Sequence, residues 1–176
     1  MKKFISILFI LISTTIIWAQ EIKVEYDKDR DFSKYKTFSF GEGEIITPKD
    51  QKLVSDATVH KWIKTAIGRE LEMKGLQQVD SAADLVVSYA AGTLARSDAG
   101  NVGPLGMTPG STDRTYIRDY QQGSLVIDLN DKSNMLVLRI NSTTNMIGDD
   151  GERMVDQIVE KGFRKFGRPV KKKKKK

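Results

Sequence analysis

The chain contains no cysteine and a single histidine, His60. The first absence excludes disulfides, thiol catalysis, cysteine-ligated zinc and iron–sulfur clusters. It also excludes a lipid-anchored cysteine behind the leader. The second leaves His60 without a second histidine for a metal site, and it reads as structural or exposed. Basic charge is also lacking where it would matter. The net charge is +6, but Lys2 and Lys3 precede the folded part and Lys171–Lys176 follow it. With those set aside, 21 basic residues face 23 acidic ones, so no basic domain face for nucleic acid is indicated. Phosphate-binding signatures are missing too. The glycines between Gly100 and Gly110 match neither the P-loop nor the dinucleotide fingerprint.

What is present is an exported α+β domain. Met1–Gln20 reads as a signal peptide: Lys2 and Lys3 as the charged start, Phe4–Ile12 as the apolar region, and a cut beside Ala19. Phe4–Trp18 is short for a bilayer span, which needs about 20 residues; an uncleaved anchor is the alternative. The remainder, at ordinary apolar and charged content, reads as one domain over 21–170, followed by a disordered poly-Lys tail over 171–176.

The organising stretch is Gly123–Ser142. Two aliphatic runs flank the polar cluster Asn130–Asn134, a strong hairpin signal. A four-residue loop, Asp131–Asn134, would pair Leu129 with Leu136, Ile127 with Leu138 and Leu125 with Ile140. That register makes one apolar face, and a slip by one residue would break it. The other face carries Val126, Asp128, Val137 and Arg139, with Asp128 diagonal to Arg139. Such a hairpin needs helices to cover it.

Around it, Glu21–Asp27 alternates strictly and reads as a half-buried strand. Tyr35–Phe40 is a second strand and Gly41–Lys49 a loop. Ser55–Lys74 is a helix whose apolar face holds Val59, Trp62, Ile63, Ala66, Ile67 and Met73, stopped by Gly75. Asp84–Ala91 is an interior strand, and Gly92–Thr115 a long loop rich in small and polar residues. Gly148–Phe166 is the last helix, with Asp149 and Glu152 as a capping box. The fold class is α+β: a mostly antiparallel sheet of about five strands, with two long helices on one face.

The stretches DFSKYKTFSF (Asp31–Phe40), ELEMKGL (Glu70–Leu76), ADLVVSY (Ala83–Tyr89) and GSLVIDLND (Gly123–Asp131) occur in this order. With the leader, the chain resembles a bacterial envelope family, domain of unknown function 4136, over about Ile22–Phe166. The resemblance implies helices packed on a mostly antiparallel sheet and no established catalytic residues. Family members usually carry Trp-x-Gly where this chain has Leu138 and Ile140, and many carry a lipoprotein cysteine. Its absence here suggests a soluble periplasmic protein.

Candidate chemistry is thin. Asp131, Asp149 and Asp150 fall where turns and helix starts favour aspartate for backbone reasons. Asp128 lies inside an apolar strand beside Arg139 and reads as a structural ion pair. No catalytic residue, cofactor or metal ligand is assigned. Three functional readings remain. The favoured one is a non-enzymatic envelope module binding an unknown envelope protein, with Leu105 and Met107 in the long loop as contact residues. The second is a protein held to anionic lipid or polysaccharide by Lys171, Lys172, Lys173, Lys174, Lys175 and Lys176. The third is a hydrolase with an unrecognised site.

Overall fold

Alternating residues over Glu21–Tyr26 make strand β1, and the chain then turns through a 3-10 turn at Phe32–Lys34, where Phe32 is buried. These elements come from a computed structural model that describes residues 21–27, 30–102, 114–146, 150–164 and 166. Strand β2 spans Thr37–Ile45, helix α1 Asp56–Met73, and the two-residue strand β3 Gln77–Gln78. Strand β4 spans Leu85–Val102, β5 Arg114–Asp131, β6 Leu136–Met146, and helix α2 Gly151–Phe163.

The six strands form one sheet in the order β1-β6-β5-β4-β2-β3. It has one strand more than the expected five or so, and its pairing is mostly antiparallel as expected, with a parallel part at one side that makes the sheet mixed. β2 pairs parallel with both β3 and β4, while the β4–β5, β5–β6 and β6–β1 pairs are antiparallel. The reason is the crossover: α1 carries the chain back to the end where β2 began, so β4 enters beside it in the same direction.

Helix α1 begins where Ser55 Oγ accepts from the Thr58 N–H at 3.1 Å. It ends at Gly75 (φ +86°), where the Leu76 N–H donates to the Leu71 carbonyl at 3.1 Å. Its buried face is Ile63, Ala66, Ile67 and Leu71; Met73, expected there, is 66% exposed because it falls beyond the last turn that meets the sheet. Both helices cover one sheet face. Phe38, Leu85, Val87, Ile127, Leu129, Leu138 and Ile140 are fully buried beneath them, with Ile158, Val159 and Phe163 from α2. At Gly162 the helix comes so close that a Cβ would meet the Ile140 side chain at 2.6 Å.

Two expected loops are strand. Gly41–Ile45 continues β2, and Gly92–Val102 continues β4, paired residue for residue with Arg114–Ser124. Low strand propensity is overridden there because each long strand supplies the other's backbone partners. Leu105 and Met107 lie outside the described residues.

The hairpin register also differs from expectation. The loop is three residues, Lys132–Asn134. The Asn134 N–H donates to the Asp131 carbonyl at 2.8 Å, the Asp131 N–H donates to the Met135 carbonyl at 2.9 Å, and Asn134 is left-handed (φ 57°). A shift of one residue would turn Leu138 and Ile140 to the open face. A bulge between Leu129 and Asn130 on one side and Leu136 and Leu138 on the other takes up Val137 and restores the parity. Leu129 pairs with Leu138, Ile127 with Ile140 and Leu125 with Ser142. Val137 is buried; Leu136 is exposed.

Candidate functional site

The helix-facing residues of three neighbouring strands shrink and become polar in the same direction. β4 reads Leu85, Val87, Tyr89, Ala91, Thr93; β5 reads Leu129, Ile127, Leu125, Gly123, Gln121; β6 reads Leu138, Ile140, Ser142, Thr144. The first members of each row are sealed under the helices. The last members leave space, and a cleft of about 280 Å³ opens there. Ala91, Gly123, Ser124 and Leu125 form part of its floor. Val59 and Trp62 of α1 and Met154, Val155 and Ile158 of α2 form its walls. Both helices start at this end; Gly151, at the first position of α2, lets the Trp62 ring approach within 3.1 Å of where a Cβ would stand.

The segment between β2 and α1 forms the mouth. It is tied along β4: the Ile46 N–H donates to the Ala91 carbonyl at 2.7 Å, the Thr93 N–H to Thr47 Oγ1 at 3.1 Å, and the Ala95 N–H to Gln51 Oε1 at 3.0 Å. The Ile46 carbonyl lies 2.4 Å from the position of a Cβ on Gly92, so only glycine fits there. Leu53 and Val54, 67% and 42% exposed, stand at the rim. The charged lining residues, Lys52 and Asp56, are paired with each other at 2.6 Å. The remaining polar side chains of the lining are the Thr47, Thr93 and Thr144 hydroxyls and the Gln121 amide; Ser124 contributes backbone, since its side chain alternates to the open face. Sequence reasoning missed this cleft. The signal was the parallel taper of three strands, legible only once their register is known.

The residues singled out from the sequence lie elsewhere. Asp128 and Arg139 are direct cross-strand partners on the open face, with two hydrogen bonds of 2.7 and 2.5 Å from the guanidinium to the carboxylate. The Asp128 partnership raises the Arg139 pKa. Asp131 is not brought to Asp128. It accepts from the Ser133 and Met135 N–H groups at 2.9 and 3.0 Å and from Arg30 at 2.6 Å. The Met135 N–H, ahead of Arg30 and the Ser133 N–H, holds its carboxyl below the usual range. Asp150 is the N-cap of α2 but makes no side-chain cap bond, and Asp149 lies outside the described residues. His60 Nδ1 and Tyr89 Oη are hydrogen-bonded at 2.7 Å, and burial pushes the Tyr89 phenol up. Lys171–Lys176 are outside the described residues. Among the described residues no group of three or more His, Asp or Glu side chains is arranged to hold a metal ion.

Two further residues went unnoticed in the sequence. Arg30 ties the start of the domain to the hairpin turn through Asp131 and also donates to Tyr35 Oη at 3.1 Å. Asp84 accepts the Lys36 and Thr37 N–H groups at 2.9 and 3.1 Å and pairs with Lys132 at 2.9 Å, while its own N–H donates to Thr37 Oγ1. Lys132, then these backbone donors, hold the Asp84 carboxyl well below the usual carboxylate range.

The sequence matches the family model described as domain of unknown function DUF4136 over residues 22–166. No curated protein matches it. Similar solved structures include a PelC dodecamer from Paraburkholderia phytofirmans, at 9% identity and a TM-score of 0.50, covering 82% of this chain and 95% of that one. A DUF4136 family protein from Bacteroides thetaiotaomicron aligns at 16% identity and a TM-score of 0.47, over 82% of this chain and 94% of that one. A PDZ domain protein from Parabacteroides distasonis aligns at 12% identity and a TM-score of 0.50 over 81% of this chain. The present chain spans only 34% of that protein's length. At these identities the likeness is one of fold.

Proposed function

This chain belongs to the DUF4136 family of domains of unknown function, and from that premise we propose that it is an exported, non-enzymatic binding module of the cell envelope. The cleft between the two helix starts carries this reading. A concave, mainly apolar site with a few convergent polar groups is the usual form of a ligand pocket, and 280 Å³ lies just below the usual range of about 300–1,000 Å³, which suits a small ligand. Its lining favours holding over turnover. A nucleophile needs a base within hydrogen-bond reach. Here the Thr93 hydroxyl donates to the Thr47 hydroxyl at 3.3 Å, Lys52 is closed onto Asp56, and His60 is engaged by Tyr89 outside the lining. Export rests on the charged, then apolar, start of the chain.

Trp62 supplies the test, because the sequence has only two tryptophans and the other is Trp18 in the leader. Full-length protein carrying Trp18→Phe is titrated with bacterial envelope extract while Trp62 emission is followed. A saturable shift, lost in the cleft-filling variant Ala91→Leu, is the expected result. Unchanged emission from folded protein across the titration would overturn the reading.

A further inference from the structure

We infer that the cleft accommodates one unbranched aliphatic chain of an amphiphile, entering end on with its polar head left at the mouth; this rests on the binding reading above. The walls decide the class. Val59, Leu125, Met154, Val155 and Ile158 offer no hydrogen-bonding side chain. A peptide backbone or a sugar pressed against them would lose water without gaining partners, which is unfavourable for each buried polar group. A hydrocarbon chain loses nothing by it.

Size and polarity set the orientation. At about 280 Å³ the cleft equals roughly nine water volumes, room for a single medium-length chain. The rows that taper toward it end in Thr93, Gln121 and Thr144, so the polar groups gather at the outer end and the aliphatic ones lie deeper. The charged pair Lys52–Asp56 is self-neutralised, so the interior presents no unpaired charge and selects an uncharged moiety. Leu53 and Val54 stand exposed at the rim, where a bound chain would cover them.

The probes are decanoate, kept below its micelle-forming concentration, and a bromine-labelled fatty acid that quenches tryptophan on contact. The same label on phospholipid in vesicles distinguishes a membrane source of the chain from a free one. The protein is the full chain with Trp18→Phe. The expected result is saturable quenching of Trp62 by the labelled chain, one per protein, with displacement by decanoate. Leu53→Ser, at an exposed position that leaves folding intact, weakens binding by about tenfold. Ala91→Leu abolishes it. Quenching from labelled vesicles alone supports the inference with a lipid acyl chain as the occupant. Quenching that persists unchanged in both variants overturns it, as does dimerisation that shields Trp62 and excludes the chain. A Trp62 response to envelope extract without any response to the fatty acid or the vesicles overturns this inference and leaves the binding reading standing. No response to any of them overturns both.

Discussion

Asp84 joins two stretches that are distant in sequence. Its carboxylate receives the backbone N–H groups of Lys36 and Thr37, so the start of β4 grips the start of β2. The Asp31–Phe40 and Ala83–Tyr89 motifs are thus bonded to each other. Hydrogen bonds to a charged acceptor are worth about 1.5–3 kcal/mol. Asp84→Asn, which keeps one acceptor, is expected to cost about 1–2 kcal/mol at neutral pH. The folded-state pKa of Asp84 is depressed, so its contribution is full above the unfolded value of about 3.9 and declines as pH falls below it. Denaturant titrations should therefore show the gap between wild type and variant constant near neutrality and narrowing below about pH 4. A gap independent of pH would mean that the charge of Asp84 is not what binds the strands. Ser142 presents the opposite case. It is 1% exposed, follows Leu138 and Ile140 on the helix-facing side of β6 opposite Leu125, and its hydroxyl has no partner. Ser142→Ala removes a buried unsatisfied group, and a gain of about 1 kcal/mol in unfolding free energy is expected.

At the scale of elements, the hairpin shows two local irregularities that cancel. The three-residue loop shifts the register by one, and the Val137 bulge shifts it by one more, so the aliphatic residues of β5 and β6 still meet beneath the helices. The loop depends on Asn134 holding a left-handed backbone, which costs a residue with an ordinary side chain about 1–2 kcal/mol. Asn134→Ala should lower the unfolding free energy by about 1 kcal/mol, while Asn134→Gly should not. Equal stability of the two variants would show that the turn is set by the strands and not by its own backbone. Helix α2 is seated by a different device. The bare backbone of Gly162 against Ile140 brings it down onto β6, while Gly151 admits the Trp62 ring at its other end.

For the whole molecule, the two ends of the sequence carry the excess charge, and the domain between them is nearly neutral. We propose that Lys171–Lys176 adds a second, electrostatic attachment to anionic envelope surfaces. Each lysine near such a surface is worth about 1 kcal/mol, and the attraction fades as salt shortens the screening length. Removing Lys171–Lys176 should abolish low-salt retention on anionic vesicles and leave the melting temperature unchanged. Retention that is the same with and without the tail would exclude this role. The cleft and the tail are separable: a tail-deleted protein should still show the Trp62 response.

The sequence by itself determined what depends on neighbouring residues. The alternation of β1, the Ser55 cap and Gly75 stop of α1, the apolar stripe of α2 and the existence of the hairpin all rest on local patterns. The tertiary structure decided what depends on partners far along the chain. Gly92–Val102 reads locally as a loop, yet is a strand because Arg114–Ser124 lies opposite it. Arg30 and Asp84 look like ordinary surface charges until the fold sets Asp131 beside the one and the backbone of Lys36 and Thr37 beside the other. The cleft is the clearest case. No single strand announces it, because Ala91, Gly123 and Thr144 are unremarked small residues in three separate stretches. Only the pairing register aligns their small side chains into one space, and only the common direction of the two helices leaves that end of the sheet open.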